Sequence, residues 1–543
     1  MSTASAAPAG AVPPSSPPVF SHRQIQVIML GLMSGMLLAA LDGSIVGTAM
    51  PRIVSDLGGL NHLAWVVTAY LLASTAVTPL WGKISDLYGR RPIFQLTIII
   101  FLIGSALCGL AQSMPQLIAF RALQGIGGGG LMAIAFAVMG DVIPARERGR
   151  YQGYMAAVFG SSSVAGPLLG GWLTDAVSWR WIFYINLPIG IGALIVTSLA
   201  LKLPLNKRDP NIDYLGAAAI VASTTSLLLY LNWAGEHFGW LSPSALAFVA
   251  GSVLMAIAFV FIELRAKEPI IPMRLFRNKI FSVGNAFGFL IGTALFGGAI
   301  YLPLFLQTVH GMSPTESGLA MLPMMVGMFT MSIVSGQLLV RTGRYKIYPI
   351  IGSAILAGAF VLLSTMKVDT PYWHVAIFAY LFGTGLGLSM MTIVTPIQNA
   401  VEMRDMGVAS SATTFGRSLG GAIGAALFGA IMTSRLAYCL SEDLASVAGG
   451  GVSGGEVNVN DVQAIQALAE PVRTEVLTAY TSAITDIFLY ALPLILAAFV
   501  VVLFLKEIPL RTTNAPSSAP SEKPETQSDV EPIEEPVPAF AGH

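Results

Sequence analysis

The chain has 543 residues, of which 54% are hydrophobic and only 11% are charged, and its formal net charge is zero. Because soluble domains carry roughly 25% charged residues, this composition excludes a soluble globular protein and indicates a chain that crosses a membrane many times. The basic residues are spread over many loops, which argues against nucleic acid as a partner. The two cysteines lie on separate elements without ligand spacing, which argues against a disulfide framework or a zinc site.

In chain order, fourteen apolar runs are each close to the roughly 20 residues with which a helix crosses a bilayer. The runs are 25–49, 62–81, 93–112, 116–139, 152–175, 181–201, 213–232, 243–262, 281–305, 316–338, 347–366, 373–397, 411–434 and 479–504. The predicted fold class is therefore an all-α membrane protein with fourteen spans.

Lys and Arg residues set the predicted orientation, because loops that retain positive charge stay in the cytoplasm. If both termini lie inside, most basic residues fall in inner loops and tails. The exceptions are Arg52, Arg180, Lys367, Arg435 and Arg473 in outer loops, and Arg121 and Arg417 within spans. We therefore predict a multi-pass protein of the plasma membrane with both termini in the cytoplasm.

The domain organisation follows from composition and from an internal repeat. Residues 1–24 and 506–543 are rich in Pro and Ser and are predicted to be disordered cytoplasmic tails. Gly82, Gly89 and Arg90 recur as Gly336, Gly343 and Arg344, at an offset of 254 residues, which predicts two six-helix bundles of the same orientation. The bundles span 25–201 and 281–505, and a linker at 202–280 holds two additional spans. An acidic, Gly-rich outer loop at about 435–478 is either a solvated spacer or a docking element.

Asp42 is a carboxylate deep inside the first span, where an ionisable residue is a functional candidate by default. Arg121, in the outer half of the fourth span, lies at a comparable depth. We therefore predict that the two form a proton-coupling pair. A fixed structural ion pair is the alternative.

The inner loop after the second span combines glycines with opposite charges, which can lock one packing of the bundles and release another. The residues assigned to this gate are Gly82, Asp86, Gly89, Arg90, Arg91 and Asp141. An ordinary positive-inside anchor is the alternative. Gly166, Pro167 and Gly170, in the fifth span, are assigned to the same gating function because they suit a close helix crossing that can pivot; packing alone is an equal alternative.

A substrate cavity is predicted from adaptable apolar side chains, chiefly methionines in the tenth and twelfth spans and phenylalanines in the ninth. Polar residues inside spans that could line it are Gln124, Asn186, Asn285, Gln398, Asn399 and Arg417. Arg417 lies near the inner start of its run and could meet either an anion or the lipid headgroups.

Several segments resemble one family. The loop from Gly82 to Pro92 resembles the signature of the major facilitator superfamily, and residues 336–346 resemble its degenerate second copy. Leu41 to Pro51 is similar to the first-helix motif of the fourteen-span drug:proton antiporters within that superfamily, and Arg121 to Gly127 to the fourth-helix motif assigned to proton transfer.

The resemblance continues through the fifth-helix exporter motif at Ala165–Gly171 and the start of helix six at Trp179–Pro188, and covers about residues 25–505. Thr48 and Met50 are minor departures from the first-helix motif. The resemblance implies a major facilitator fold, a bacterial inner membrane, and functional importance of Asp42.

The leading hypothesis is a proton-coupled multidrug efflux antiporter that exports amphiphilic or cationic compounds by alternating access. It would act as a monomer, with protons, small amphiphilic substrates and the lipid bilayer as partners. No cofactor or metal is expected; the absence of a G-x-x-x-x-G-K-[ST] loop favours a proton gradient over ATP. One alternative is an exporter of a specific lipid, siderophore or secondary metabolite. Another is a non-transporting receptor or membrane enzyme; scattered histidines and a single deep carboxylate favour neither, so no enzyme activity is predicted.

Overall fold

The computed structural model describes residues 21–58, 63–201, 213–233, 239–390, 392–447 and 472–511. The described chain consists of helices and the turns that join them, and no strand occurs within these ranges. The predictions for residues 1–20, for 448–471 of the outer loop and for 512–543 lie outside the described residues.

The described residues up to 201 form seven α-helices, and the first of them begins at side chains that cap its amide groups. Ser21 and Gln24 form a capping box at the start of the first helix, which satisfies amides that have no partner within the helix. The helices are α1 (His22–Leu57), α2 (Leu63–Tyr88), α3 (Arg90–Leu110), α4 (Met114–Val142), α5 (Arg148–Ala176), α6 (Trp181–Tyr184) and α7 (Asn186–Ala200).

The rest of the described chain contains ten helices and two short 3-10 helices, at Met273–Arg277 and Met403–Asp405. The α-helices are α8 (Tyr214–Trp233), α9 (Pro243–Glu263), α10 (Lys279–Thr308), α11 (Pro314–Ala320), α12 (Leu322–Thr342), α13 (Ile347–Leu363), α14 (Tyr372–Met390), α15 (Val394–Ala400), α16 (Met406–Val447) and α17 (Val472–Leu503).

Each of the fourteen predicted runs coincides with one helix or with two consecutive helices. Eleven helical segments of the described chain are long and apolar enough to cross a membrane, and α13 is a shorter apolar helix. The all-α class is confirmed. We call the end of the molecule that holds Ser21 and residues 504–511 the inner end, after the predicted orientation.

Helix contacts repeat between the two halves. In the first half α4 packs against α2 and α3, and α1 packs against α5 and α7; in the second half α14 packs against α12 and α13, and α10 packs against α16 and α17. The same neighbours in the same order are the structural counterpart of the sequence repeat.

Glycines in α4 allow its neighbours to approach closely. A Cβ atom on Gly127 would lie 2.5 Å from the amide nitrogen of Phe101, and one on Gly125 would collide with the backbone of Tyr70. Small residues are the usual means by which membrane helices pack tightly. This packing brings α2, α3 and α4 together around the interior of the first half.

The two halves meet along two seams, α2 against α16 and α5 against α12. The additional helices α8 and α9 form a hairpin, and α8 contacts both α2 and α16. Thr68 donates a hydrogen bond to the Asn232 side-chain oxygen at 2.9 Å, so α8 is tied to α2 near the outer end. The inserted hairpin therefore covers the outer part of one seam.

Candidate functional site

Asp42 and Arg121 form an ion pair inside the first half. The Arg121 Nη1 atom lies 2.5 Å from Asp42 Oδ2, and the two side chains are 0% and 1% exposed, respectively. α1 supplies the carboxylate and α4 supplies the guanidinium. Their contact agrees with the comparable depth that the sequence indicates for Asp42 and Arg121. An ion pair sealed in this way is held only if its remaining polar atoms also have partners.

Two amides complete the shell around Asp42. Gln124 Nε2 donates to Asp42 Oδ1 at 2.8 Å and Asn186 Nδ2 donates to the same oxygen at 3.2 Å. Arg121 also donates to Gln124 Oε1 at 2.9 Å, and Asn186 donates to Ser105 Oγ at 3.0 Å. Gln124 and Asn186, which the sequence assigned to a substrate cavity, thus hold the carboxylate instead.

Arg121 has two further contacts that fix its guanidinium. Its Nε donates to the carbonyl of Val66 at 3.1 Å, and its Cζ lies 4.3 Å from the centre of the Tyr70 ring. Sequence reasoning missed Tyr70 and Ser105, because neither an aromatic residue nor a serine in an apolar run distinguishes a site from ordinary packing.

Asp86 joins the two halves at the inner end. Its carboxylate accepts hydrogen bonds from the backbone amides of Gly407 and Val408, at 3.2 and 3.0 Å, in the first turn of α16. A negative charge is favoured there because amides without partners and the helix dipole both attract it. Arg90 pairs with Asp86 and with Asp141, at 2.5 and 2.6 Å.

The two glycines of this loop, Gly82 and Gly89, are needed for different reasons. A Cβ on Gly82 would collide with Ser411 of α16, so α2 and α16 touch closely here. Gly89 has φ of 97° between α2 and α3, a conformation that favours glycine. Arg91 lies apart from the network and donates to the carbonyl of Ser198 at 2.8 Å.

More polar contacts close the inner end. Gln398 Nε2 donates to the carbonyl of Phe136 at 2.9 Å, and Thr395 donates to Gln152 Oε1 at 3.0 Å; both bonds cross between the halves. Asn399 donates to the carbonyl of Pro509 at 3.1 Å. Gln398 and Asn399 therefore belong to the inner closure rather than to a substrate cavity.

Gly166 and Gly170 lie where α5 crosses α1. Cβ atoms at these positions would collide with the hydroxyls of Ser44 and Thr48, and Ser44 donates to the carbonyl of Ser162 at 2.8 Å. Pro167 lies inside α5, between the two glycines. The crossing is close, as predicted, and it begins two residues beyond Asp42 in α1.

A cavity of about 1120 Å³ lies between the two halves. Residues of α2, α5, α10, α12, α14 and α16 line it, and Leu228, Asn232 and Trp240 add the α8 side. It extends towards the outer end along α2, α12 and α16, where Thr68, Met324 and Ala437 line it, whereas the inner contacts close its other end. Among the six predicted lining residues only Arg417 is found on this wall. Asn285 is not; its amide donates to the carbonyl of Phe281.

No group of three or more His, Cys, Asp or Glu residues suited to a metal ion occurs within the described residues. The described site combines the buried Asp42–Arg121 ion pair with a cavity whose lining is mostly apolar.

Comparisons with known proteins agree with this architecture. The Major Facilitator Superfamily model matches residues 32–425. Multidrug transporter protein MdtP of Bacillus subtilis is 41% identical over 418 residues, which cover 77% of each chain. Multidrug resistance protein 3 of the same organism is 38% identical over 493 residues, 90% of this chain and 96% of the relative.

A solved structure of the proton:xylose symporter XylE bound to 6-bromo-6-deoxy-D-glucose has the same fold, with a TM-score of 0.55 at 15% identity over 87% of this chain and 95% of that one. Family and fold together identify a multi-pass membrane transporter of small molecules rather than an enzyme. This chain belongs to the major facilitator superfamily.

Proposed function

We propose that the chain is a proton-coupled antiporter that exports amphiphilic, drug-like molecules by alternating access. The observation that carries this proposal is the sealed pair of Asp42 and Arg121 within the half that helps to form the apolar cavity. The multidrug transport named for two relatives supports the choice of cargo.

Asp42 is the proton carrier in this proposal. When its carboxylate is ionised, Arg121, Gln124 and Asn186 all point donors at it. A proton on Oδ1 or Oδ2 removes the charge that attracts the guanidinium, so protonation weakens the contact between α1 and α4 and favours a change in their packing. Coupling then consists of exchanging that proton across the membrane as the halves change their contacts.

The described conformation is the outward-open member of the cycle. The cavity reaches the outer turns, while Asp86, Gln398 and Thr395 join the halves at the inner end. Breaking these inner contacts opens the opposite side. The protein would work as a monomer in the inner membrane of a bacterium, with both termini in the cytoplasm.

Proteoliposomes with an imposed pH gradient test the proposal. The wild type should accumulate a fluorescent amphiphile and move protons in the opposite direction, reported by a trapped pH-sensitive dye. Asp42→Asn should reduce gradient-driven accumulation by at least about tenfold, equal to a barrier rise of about 1.4 kcal/mol, while exchange without a gradient persists.

Two further variants make the result interpretable. Glu263→Gln is the matched control, because Glu263 is also buried in a helix but only accepts bonds from the amides of Ile270 and Ile271. Asp42→Asn/Arg121→Gln removes both charges, which avoids leaving a buried cation without a partner. Gradient-driven accumulation by a folded Asp42→Asn protein at the wild-type rate would rule out the proton function.

A further inference from the structure

Arg417 is the one charged side chain on the cavity wall within the described part of the chain. It lies eleven residues after the start of α16 at Met406, about 17 Å along the helix at 1.5 Å per residue. This depth places it near the middle of a bilayer whose hydrocarbon core is about 30 Å thick. Of the two alternatives that the sequence left open for Arg417, an anion or the lipid headgroups, this depth favours the anion.

Arg417 differs from the other arginines in the interior. Arg121 and Arg90 each pair with carboxylates, and Arg148 donates to two backbone carbonyls and to Gln398. Arg417 has no hydrogen bond or ion pair with any described residue, and its Cζ lies 5.9 Å from the centre of the Phe136 ring. Its donors thus face the cavity without a protein acceptor.

The rest of the described wall is neutral. Thr75, Ser332, Thr414 and Ser418 supply hydroxyls, and the side chains of Leu295, Phe296, Met324, Met328 and Met390 supply apolar surface. Asp42 is sealed away from this wall. A cation in the cavity would therefore meet a guanidinium and no carboxylate of the described lining, in surroundings where charges interact more strongly than in water.

We propose that Arg417 is an anion-binding subsite that selects amphiphilic organic acids, such as carboxylates or sulfonates with an aromatic or alkyl body. The inference rests on the proposed export function and names its substrate class. The planar guanidinium can bind such an acidic group with two parallel hydrogen bonds. The methionines adapt to the varied apolar bodies.

Two probes that differ in one group test the subsite directly. 8-Anilino-1-naphthalenesulfonate and N-phenyl-1-naphthylamine share their ring system, but only the first carries a sulfonate. Fluorescence titration of the purified full-length protein in phosphatidylcholine nanodiscs should show tighter binding of the sulfonate. Arg417→Gln should weaken sulfonate binding by about ten- to a hundredfold, the range of a hydrogen-bonded charge, and the neutral probe much less.

Two more variants separate charge from geometry. Arg417→Lys keeps the positive charge but removes the pair of parallel N–H donors of the guanidinium. It should retain part of the preference for the sulfonate. Arg404→Gln removes a half-exposed guanidinium that pairs with Glu402 outside the cavity, and should leave both affinities unchanged. If Arg417→Gln does not fold, the affinities of the wild type and of Arg417→Lys for the two probes still test the subsite. Equal affinity for both probes in the wild type, or tighter binding of the neutral one, overturns the subsite.

A lipid headgroup is the other source of such an anion. Adding phosphatidylglycerol to the nanodiscs should leave the sulfonate affinity unchanged. If phosphatidylglycerol weakens it in the wild type but not in Arg417→Gln, the headgroup is the occupant and the assignment to a soluble amphiphile is overturned.

Failure of the subsite and failure of the proposed function give different results. Binding in nanodiscs needs no gradient, so gradient-driven transport without a preference for the sulfonate overturns the subsite alone. A preference for the sulfonate without proton movement in proteoliposomes overturns the antiport proposal alone.

Discussion

Single side chains determine how a charge is kept inside this protein. The Arg121 guanidinium has a carboxylate, an amide oxygen, a backbone carbonyl and an aromatic face around it. These partners replace the water that the cation loses on burial. Two aromatic rings present their faces to the guanidinium, Tyr70 at 4.3 Å and Phe183 at 5.9 Å from Arg121 Cζ. Tyr70 is the nearer of the two, and its contribution can be measured by substitution.

Tyr70→Leu is expected to lower the free energy of unfolding by about 1–3 kcal/mol, because a desolvated cation–π contact is worth about 2 kcal/mol. Denaturant titration in detergent micelles measures this. Tyr70→Phe keeps the ring and is the matched control, since the Tyr70 hydroxyl has no hydrogen bond with a described residue. Equal losses in the two variants would show that the ring face does not stabilise Arg121.

At the scale of elements, glycines decide how closely helices approach. Gly125, Gly127 and Gly129 of α4 face backbone atoms of α2 or α3, so a methyl group added at these positions has no flexible side chain to displace. α13 offers the opposite case, because a Cβ on Gly358 would have no atom within 4 Å. The same substitution therefore has opposite expected effects in two membrane helices.

Gly127→Ala should destabilise the protein by about 1–3 kcal/mol, the usual cost of overpacking, because the new methyl group would lie within 2.8 Å of backbone atoms of Thr97 and Phe101. Gly358→Ala should be neutral or stabilise by up to about 1 kcal/mol through helix propensity. Thermal unfolding of both variants in the same detergent gives the comparison. If Gly127→Ala does not change the stability, α3 and α4 can move apart without destabilising the protein.

At the scale of the whole molecule, the proposed alternating access requires that the inner contacts between the halves break. The α5–α12 seam is tight at its inner half, where a Cβ on Gly153 would lie 3.0 Å from the Cα of Ile333. A covalent link at this point would hold the halves in the described conformation.

Gly153→Cys/Ile333→Cys, with Cys108 and Cys439 replaced by Ala, should form a disulfide on oxidation that stops transport until it is reduced. The control is Gly31→Cys/Thr197→Cys, which joins α1 to α7 within one half, where a Cβ on Gly31 would lie 2.9 Å from Thr197 Cγ2, and it should leave transport unchanged. Both pairs are followed by uptake into proteoliposomes before and after reduction. Transport by the fully oxidised first pair would contradict movement at this seam.

The sequence predicted the helical class, the positions of the apolar runs and the depth at which Asp42 and Arg121 lie, because length, apolarity and helical rise depend on local residues. It could not place Gln124 and Gln398. Both are amides inside apolar runs, yet one supports Asp42 and the other crosses between the halves. That difference depends on which helix lies opposite, which a local pattern does not contain.

The hairpin of α8 and α9 has a consequence for hydrophobic compounds dissolved in the lipid. Because α8 packs against both α2 and α16, it covers the outer part of the junction between these two helices. The opposite junction, between α5 and α12, has no such additional helix against it among the described contacts. If hydrophobic compounds enter sideways from the membrane, as an exporter of amphiphiles would allow, we expect them to enter there. The pseudo-symmetry of the two bundles thus ends at their perimeter, where the additional hairpin packs against only one of the two junctions.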